Sequence, residues 1–198
     1  DIELTIDQRI QSLATEALGD RRGTIIVMDM ETGEILAMQS SPAFDPNAFT
    51  DEKKRAQTQR YFADESAPLL NRAIKGLYPP GSIFKVVVAT AGIMSERLTP
   101  RTSFFCPGYA TLGRRVFRCS HVHGMQDLIQ ALAHSCNVYF FNAGDKIGPD
   151  LVHKYARLYG LGAMTQIDLP FEEKGDVASR VERRMRKNQG WYQGDTYN

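Results

Sequence analysis

Two apolar runs meet across Glu31-Thr32-Gly33 in GTIIVMDMETGEILAMQSSP, Gly23 to Pro42, and this pattern predicts a β-hairpin. A two-stranded hairpin is marginal in water by itself, so it has to be covered by other elements. The chain offers helices for that purpose. DIELTIDQRIQSLATEALGD opens as an amphipathic helix with Thr5 or Asp7 as its cap, and SIFKVVVATAGIMSE runs as a helix from Ser82 behind the stiff Pro79-Pro80-Gly81 approach. MQDLIQALAHSCNVYFFNAGDKIG holds two short helices around Ser135, and PDLVHKYARLYGLG begins at Pro149 and ends in a Gly-rich cap. Pro42 to Leu70 reads as a long surface loop with one helical turn. No second hairpin is legible. An α/β chain is expected, in which helices pack on a sheet larger than the one hairpin.

With 198 residues, 42% of them hydrophobic and 24% charged, the chain has the composition of a folded domain with one core. A formal charge of +1 implies no polyanionic partner, so nucleic acid is not expected. The basic run ASRVERRMRKNQ, Ala178 to Gln189, reads as a solvated, mobile face. No segment approaches the ~20 apolar residues of a membrane span, and no signal peptide opens the chain. The abrupt start and stop read as those of an excised piece.

Lys85 stands among Phe84, Val86 and Val87, where burying an ammonium without a partner costs several kcal/mol. Three residues earlier is Ser82. On one helix face the amine can reach the serine oxygen, and a desolvated lysine of lowered pKa is a competent base for that hydroxyl. Ser82 at the helix N-terminus can also turn its own N–H toward a developing oxyanion. The alternative is a helix-capping serine with an incidental lysine. Ser135-Cys136-Asn137 supplies the chain's one Ser-x-Asn triplet, for which a cap and a surface amide are again the plain alternative.

The three cysteines form with one histidine the spacing C-x12-C-x3-H-x12-C, at Cys106, Cys119, His123 and Cys136. Four soft ligands suit a tetrahedral zinc ion. A Cys106–Cys119 disulfide beside a free Cys136, or three inert thiols, would use the same residues. His121 could replace His123 as the ligand, while His134 and His153 read as structural or solvent-facing.

APLLNRAIKGLYPPGSIFKVVVATAG, SCNVYF, the hairpin and the closing GWYQGDTYN together resemble the transpeptidase domain of class B penicillin-binding proteins, particularly the elongation (Rod-system) type, from Leu4 to Asn198. That family carries Ser-x-x-Lys, Ser-Asp-Asn and Lys-Thr-Gly. The first is met at Ser82 and Lys85. The second is met at Ser135 to Asn137 with Cys136 in place of Asp, as is common in this branch. The third is missing, so residues 1–198 are expected to be a partial transpeptidase domain, its first half to two-thirds, and inactive alone.

The resemblance implies an antiparallel sheet flanked by helices with an all-helical lobe, the active site lying between them. It implies a peptidoglycan D,D-transpeptidase acting in cell-wall elongation and cell shape. Ser82 would be acylated by the penultimate D-Ala of a stem peptide, Lys85 would be its base, Ser135 would relay a proton to the leaving amine, and Asn137 would hold the donor's backbone. β-Lactams would acylate the same serine. Zinc in this loop, held elsewhere in the family by acidic, His and Cys ligands, would be structural, and no organic cofactor is implied. Partners would be stem peptides, β-lactams and membrane proteins of the elongation complex. The catalytic domain would lie outside the inner membrane, with its anchor beyond this chain. Trp191, Tyr192 and Asp195 would line the cleft or form a packed turn. A serine β-lactamase or β-lactam sensor, and a non-catalytic zinc-stabilised interaction module, are the rival readings.

Overall fold

A computed structural model describes residues 3–187, 190–192 and 195. The chain forms two compact units, residues 1–77 with 167–173, and residues 78–166 with 174–198.

In the first unit, α1 (Gln8–Leu18) starts at Asp7, whose carboxylate accepts the Arg9 and Ile10 N–H groups. β1 (Gly23–Met28) and β2 (Ile35–Ser41) pair antiparallel from Gly23↔Ser41 to Met28↔Ile35, with a bulge between Val27 and Met28. The turn is closed by Asp29, whose side chain accepts from the Glu31 and Thr32 N–H groups, and by Gly33 at a φ of 78°. Gln11 of α1 mimics a further strand by accepting from Met38 N–H at 2.8 Å and donating to Met38 O at 3.3 Å. Residues 42–71 hold more helix than the pattern suggests: two 3-10 turns, Pro46–Phe49 and Glu52–Lys54, lead into α2 (Arg55–Ala63). Aspartate caps at Asp45 and Asp51 nucleate these short turns without any apolar periodicity to announce them. α3 (Arg72–Lys75) follows, with the Arg72 guanidinium buried against the carbonyls of Ser66, Ala67 and Leu70.

The second unit packs α4 (Phe84–Met94), α5 (Leu128–Ala133), α6 (Asn137–Ile147) and α7 (Pro149–Leu158) around a core that includes Val88, Leu98, Leu128, Val138, Tyr139, Phe140 and Ile147. Leu98 folds back on α4 through its N–H to Gly92 O at 2.9 Å, and a Cβ at Gly92 would fall inside the Leu98 side chain. Between α4 and α5 lie two antiparallel ladders, β3 (Phe104–Cys106) with β6 (Gly124–Gln126) and β4 (Tyr109–Leu112) with β5 (Arg115–Arg118). Strands of three or four residues are too short to show a period, so the sequence left them unread. The basic run is helical as α8 (Arg180–Lys187), and Asn188 and Gln189 fall outside the described residues. No helix among the described residues is long and apolar enough to cross a membrane.

Candidate active site and metal centre

Every candidate site residue belongs to the second unit. Ser82 sits in a 3-10 turn, Gly81–Ile83, that runs directly into α4, so the α-helix begins two residues later than the pattern suggests. Ser82 is exposed and Lys85 half-buried.

Ser135 is placed by a helix end. Its N–H bonds to Leu132 O at 3.1 Å and that of Cys136 to Ala131 O at 2.9 Å, the pair of bonds of a Schellman motif. The residue between helix and link in that motif is left-handed and normally glycine; here it is Ser135, at a φ of 52°. A side chain that costs ~1–2 kcal/mol in that conformation is retained where the hydroxyl has a use. That hydroxyl donates to Ser82 Oγ at 2.8 Å.

Lys85 Nζ donates to Ser135 O at 2.6 Å, Ser135 Oγ at 2.9 Å and Asn137 Oδ1 at 2.7 Å. The expected direct bond from Lys85 to Ser82 is therefore replaced by one through Ser135. The reason is competition: three oxygens of the α5–α6 link surround the amine, whereas Ser82 offers one. Burial lowers the Lys85 pKa, opposed by negative charge at Cys119 and Cys136. Asn137 is tied at both ends of its amide, since Nδ2 donates to Arg118 O at 3.1 Å.

Cys136, between Ser135 and Asn137, opens onto a second cluster. The ligand atoms of Cys106, Cys119, His123 and Cys136 lie within 4.8 Å of one another. His123 Nδ1 is 3.6 Å from Cys106 Sγ and 3.5 Å from Cys119 Sγ, and Cys119 Sγ is 3.9 Å from Cys136 Sγ. A tetrahedral zinc with Zn–S of about 2.3 Å and Zn–N of about 2.0–2.1 Å needs S···S near ~3.8 Å and S···N near ~3.5 Å. The four residues fit that ion. All three cysteines are free, so the Cys106–Cys119 bridge weighed from the spacing is not formed. His121 stays outside the cluster and packs its ring edge-on against His123.

Burial works to raise the Cys119 pKa, but N–H groups of Val138, Asn137 and His121 outweigh it and bring it down. Cys136 moves up, through burial first and then the neighbouring Cys106 and Cys119. Three thiols this close cannot all ionise without a cation among them, which is the electrostatic case for a dication here.

Around His123, Gln126 donates to its carbonyl at 3.0 Å, and His134, stacked on the His123 ring, donates from Nδ1 to Gln126 Oε1 at 2.7 Å. The sequence did not single out Gln126. Its burial, at 4% exposure, is the tertiary signal for a supporting role. His153 donates to Ala178 O. It also borders a cavity of about 190 Å³, beside Gly81, Phe84, Lys85, Trp191 and Asp195. Tyr192 instead closes a turn with Asp195, whose carboxylate accepts the Tyr192 N–H at 2.8 Å.

The arrangement can deprotonate an exposed serine through a second hydroxyl and a half-buried amine. Comparison with known proteins places the chain in a family. Peptidoglycan D,D-transpeptidase MrdA of Haemophilus influenzae is 33% identical over 98% of the chain and 31% of its own length, so the chain spans about a third of that relative. A crystal structure of Pseudomonas aeruginosa PBP2 in complex with WCK 5153 superposes with a TM-score of 0.89 at 36% identity, covering 100% of this chain and 46% of that one. The complex between Penicillin-Binding Protein (PBP2) and MreC from Helicobacter pylori gives 0.90 at 34% identity, over 97% and 37%. The family described as "Penicillin binding protein transpeptidase domain" matches residues 23–196, and the chain belongs to it.

Proposed function

We propose that this chain carries the nucleophile, base and relay of a peptidoglycan D,D-transpeptidase of the elongation type. The observation that carries the reading is the chain of contacts from Ser82 Oγ through Ser135 Oγ to Lys85 Nζ. With Lys85 neutral, the two hydroxyl protons reverse direction: Ser82 donates to Ser135, and Ser135 donates to the amine. Ser82 Oγ attacks the carbonyl of the penultimate D-Ala, its proton passes along the relay to Lys85, and the terminal D-Ala leaves with a proton returned through Ser135. An amine of a second stem peptide then attacks the ester, forming the cross-link and freeing Ser82. The Ser82 N–H, ahead of α4, is one donor to the oxyanion. Asn137, clamped by Lys85 and Arg118 O, presents its remaining N–H and lone pair to the donor peptide. A β-lactam enters by the same attack and stays as an ester.

The Cys106, Cys119, His123, Cys136 cluster holds one zinc ion, which when bound neutralises the thiolates. The domain lies on the outer side of the cell inner membrane with a membrane protein of the elongation complex as its partner, and the pairing of PBP2 with MreC in the Helicobacter pylori complex supports a protein partner.

Protein that continues through the third motif, as the longer relatives do, is expected to carry one fluorescent penicillin label, at Ser82 by peptide mapping, that persists for hours and is absent from Ser82→Ala, while residues 1–198 alone label slowly or not at all. Release of the label within seconds would make the protein a β-lactamase. No label at Ser82 of the longer protein would leave a zinc-stabilised interaction module.

A further inference from the structure

Three thiols gathered at one point have a chemistry besides ion binding. Closing the 3.9 Å between Cys119 Sγ and Cys136 Sγ by about 2 Å gives the length of a disulfide. Cys136 is fully buried, while Cys119 is half-exposed and is where a small oxidant would arrive. The third thiol is held differently. Cys106 is the last residue of β3, paired with Gly124 at the end of the β3–β6 ladder, whereas Cys119 follows the last ladder residue of β5 and Cys136 lies in the short link between α5 and α6. Cys119 and Cys136 already share a sulfur–sulfur hydrogen bond at 3.9 Å, the contact that a bridge would replace.

Both sulfurs also serve α6. Cys119 Sγ accepts the Asn137 N–H at 3.2 Å and Cys136 Sγ accepts that of Tyr139 at 3.4 Å, so they satisfy the first and third unpaired donors of the helix.

We propose that Cys119 and Cys136 are a thiol pair that a hydroperoxide converts to a disulfide, and that the bridge withdraws the sulfur caps from α6 and displaces Ser135 and Asn137. The Cys119 thiolate attacks one peroxide oxygen, the O–O bond breaks, hydroxide or alkoxide leaves, and a sulfenic acid remains. The Cys136 thiolate attacks that sulfur, the S–O bond breaks and hydroxide leaves. Two electrons pass from the sulfurs to the peroxide, and the two protons that the thiols release on ionising end on the departing anions as water or alcohol. A bridged sulfur is a poorer acceptor for the helix N–H groups and no longer a thiolate ligand, so the bridge and a bound cation exclude one another. The effect on catalysis rests on the role proposed for Ser135 and Asn137; the bridge does not.

The test treats purified protein with hydrogen peroxide, alkylates the remaining thiols and maps the linked peptides, while hydrogen exchange follows the amides of Asn137 to Phe140. The expected result is a Cys119–Cys136 link with Cys106 still alkylatable, zinc appearing in solution in step with the link, and faster exchange at the start of α6. Penicillin labelling should slow by ~10-fold or more, since misplacing catalytic groups by about 1 Å can cost about 10²-fold. Dithiothreitol with zinc should restore it. A link that includes Cys106, a singly over-oxidised cysteine without a link, or thiols left intact by a peroxide dose that oxidises free cysteine would each overturn the pair. A link with exchange unchanged would overturn its effect on α6. If untreated protein takes no penicillin, the proposed function fails, while peptide mapping and exchange still decide this inference.

Discussion

Lys85 Nζ and Ser135 Oγ lie 2.9 Å apart, and it is Ser135 that hydrogen-bonds to Ser82. The serine occupies a glycine position of the α5–α6 link for the sake of that contact.

Ser135→Gly should therefore separate fold from function. Glycine adopts the 52° φ without strain, so thermal unfolding should be unchanged or improved by up to about 1 kcal/mol. Removing the relay should slow penicillin labelling ~10²–10⁴-fold, the usual contribution of a positioned proton carrier. Wild-type labelling in this variant would leave Lys85 without its route to Ser82.

The pH profile of acylation should follow Lys85. The reaction needs the neutral amine and burial lowers its pKa, so the rate should rise and level off below ~10.4, the unperturbed lysine value. Stripping the cation leaves charge on Cys119 uncompensated, which raises the Lys85 pKa and should move the rise to higher pH. Stopped-flow acylation with and without a chelator measures both shifts. A profile centred at the unperturbed value, or a move to lower pH on chelation, would remove this account of the base.

Metal analysis should separate the two neighbouring histidines. His121→Ala should retain about one equivalent of zinc and His123→Ala should lose it, because only His123 points a ring nitrogen at Cys106 and Cys119. Chelation of the wild type should lower the melting temperature and expose three thiols to a titrating reagent, since structural zinc contributes folding free energy. Equal zinc in both histidine variants would show that the ion sits elsewhere.

Packing at the end of α4 gives a control far from the chemistry. Gly92→Ala should cost ~1–3 kcal/mol in chemical denaturation, because its Cβ would occupy the place of Leu98. Leu98→Ala should cost a similar amount through the cavity it leaves, and the double variant should cost less than the two added together. Strict additivity would show that the backbone yields at this point.

Local signals in the sequence determined a good part of this protein. The Glu31-Thr32-Gly33 turn set the hairpin, Asp7 set the start of α1, Pro149 the start of α7, and Pro79-Pro80-Gly81 set the turn at Ser82 that leads into α4 and Lys85. Turns, caps and periodicity act within a few residues, so they are written where they act. The tertiary structure decided the rest. Pairing of β3 with β6 joins Phe104 to Gln126 across two intervening strands, and nothing periodic in three residues announces it. The choice of His123 over His121 depends on which ring the β6 turn directs at Cys106 and Cys119. Lys85 finds its partners 50 and 52 positions away, at Ser135 and Asn137, because the packing of α4 against α6 brings three oxygens within hydrogen-bond distance of the amine. Chain spacing limits what a side chain can reach, and competition among neighbours in the folded core selects which contact it makes.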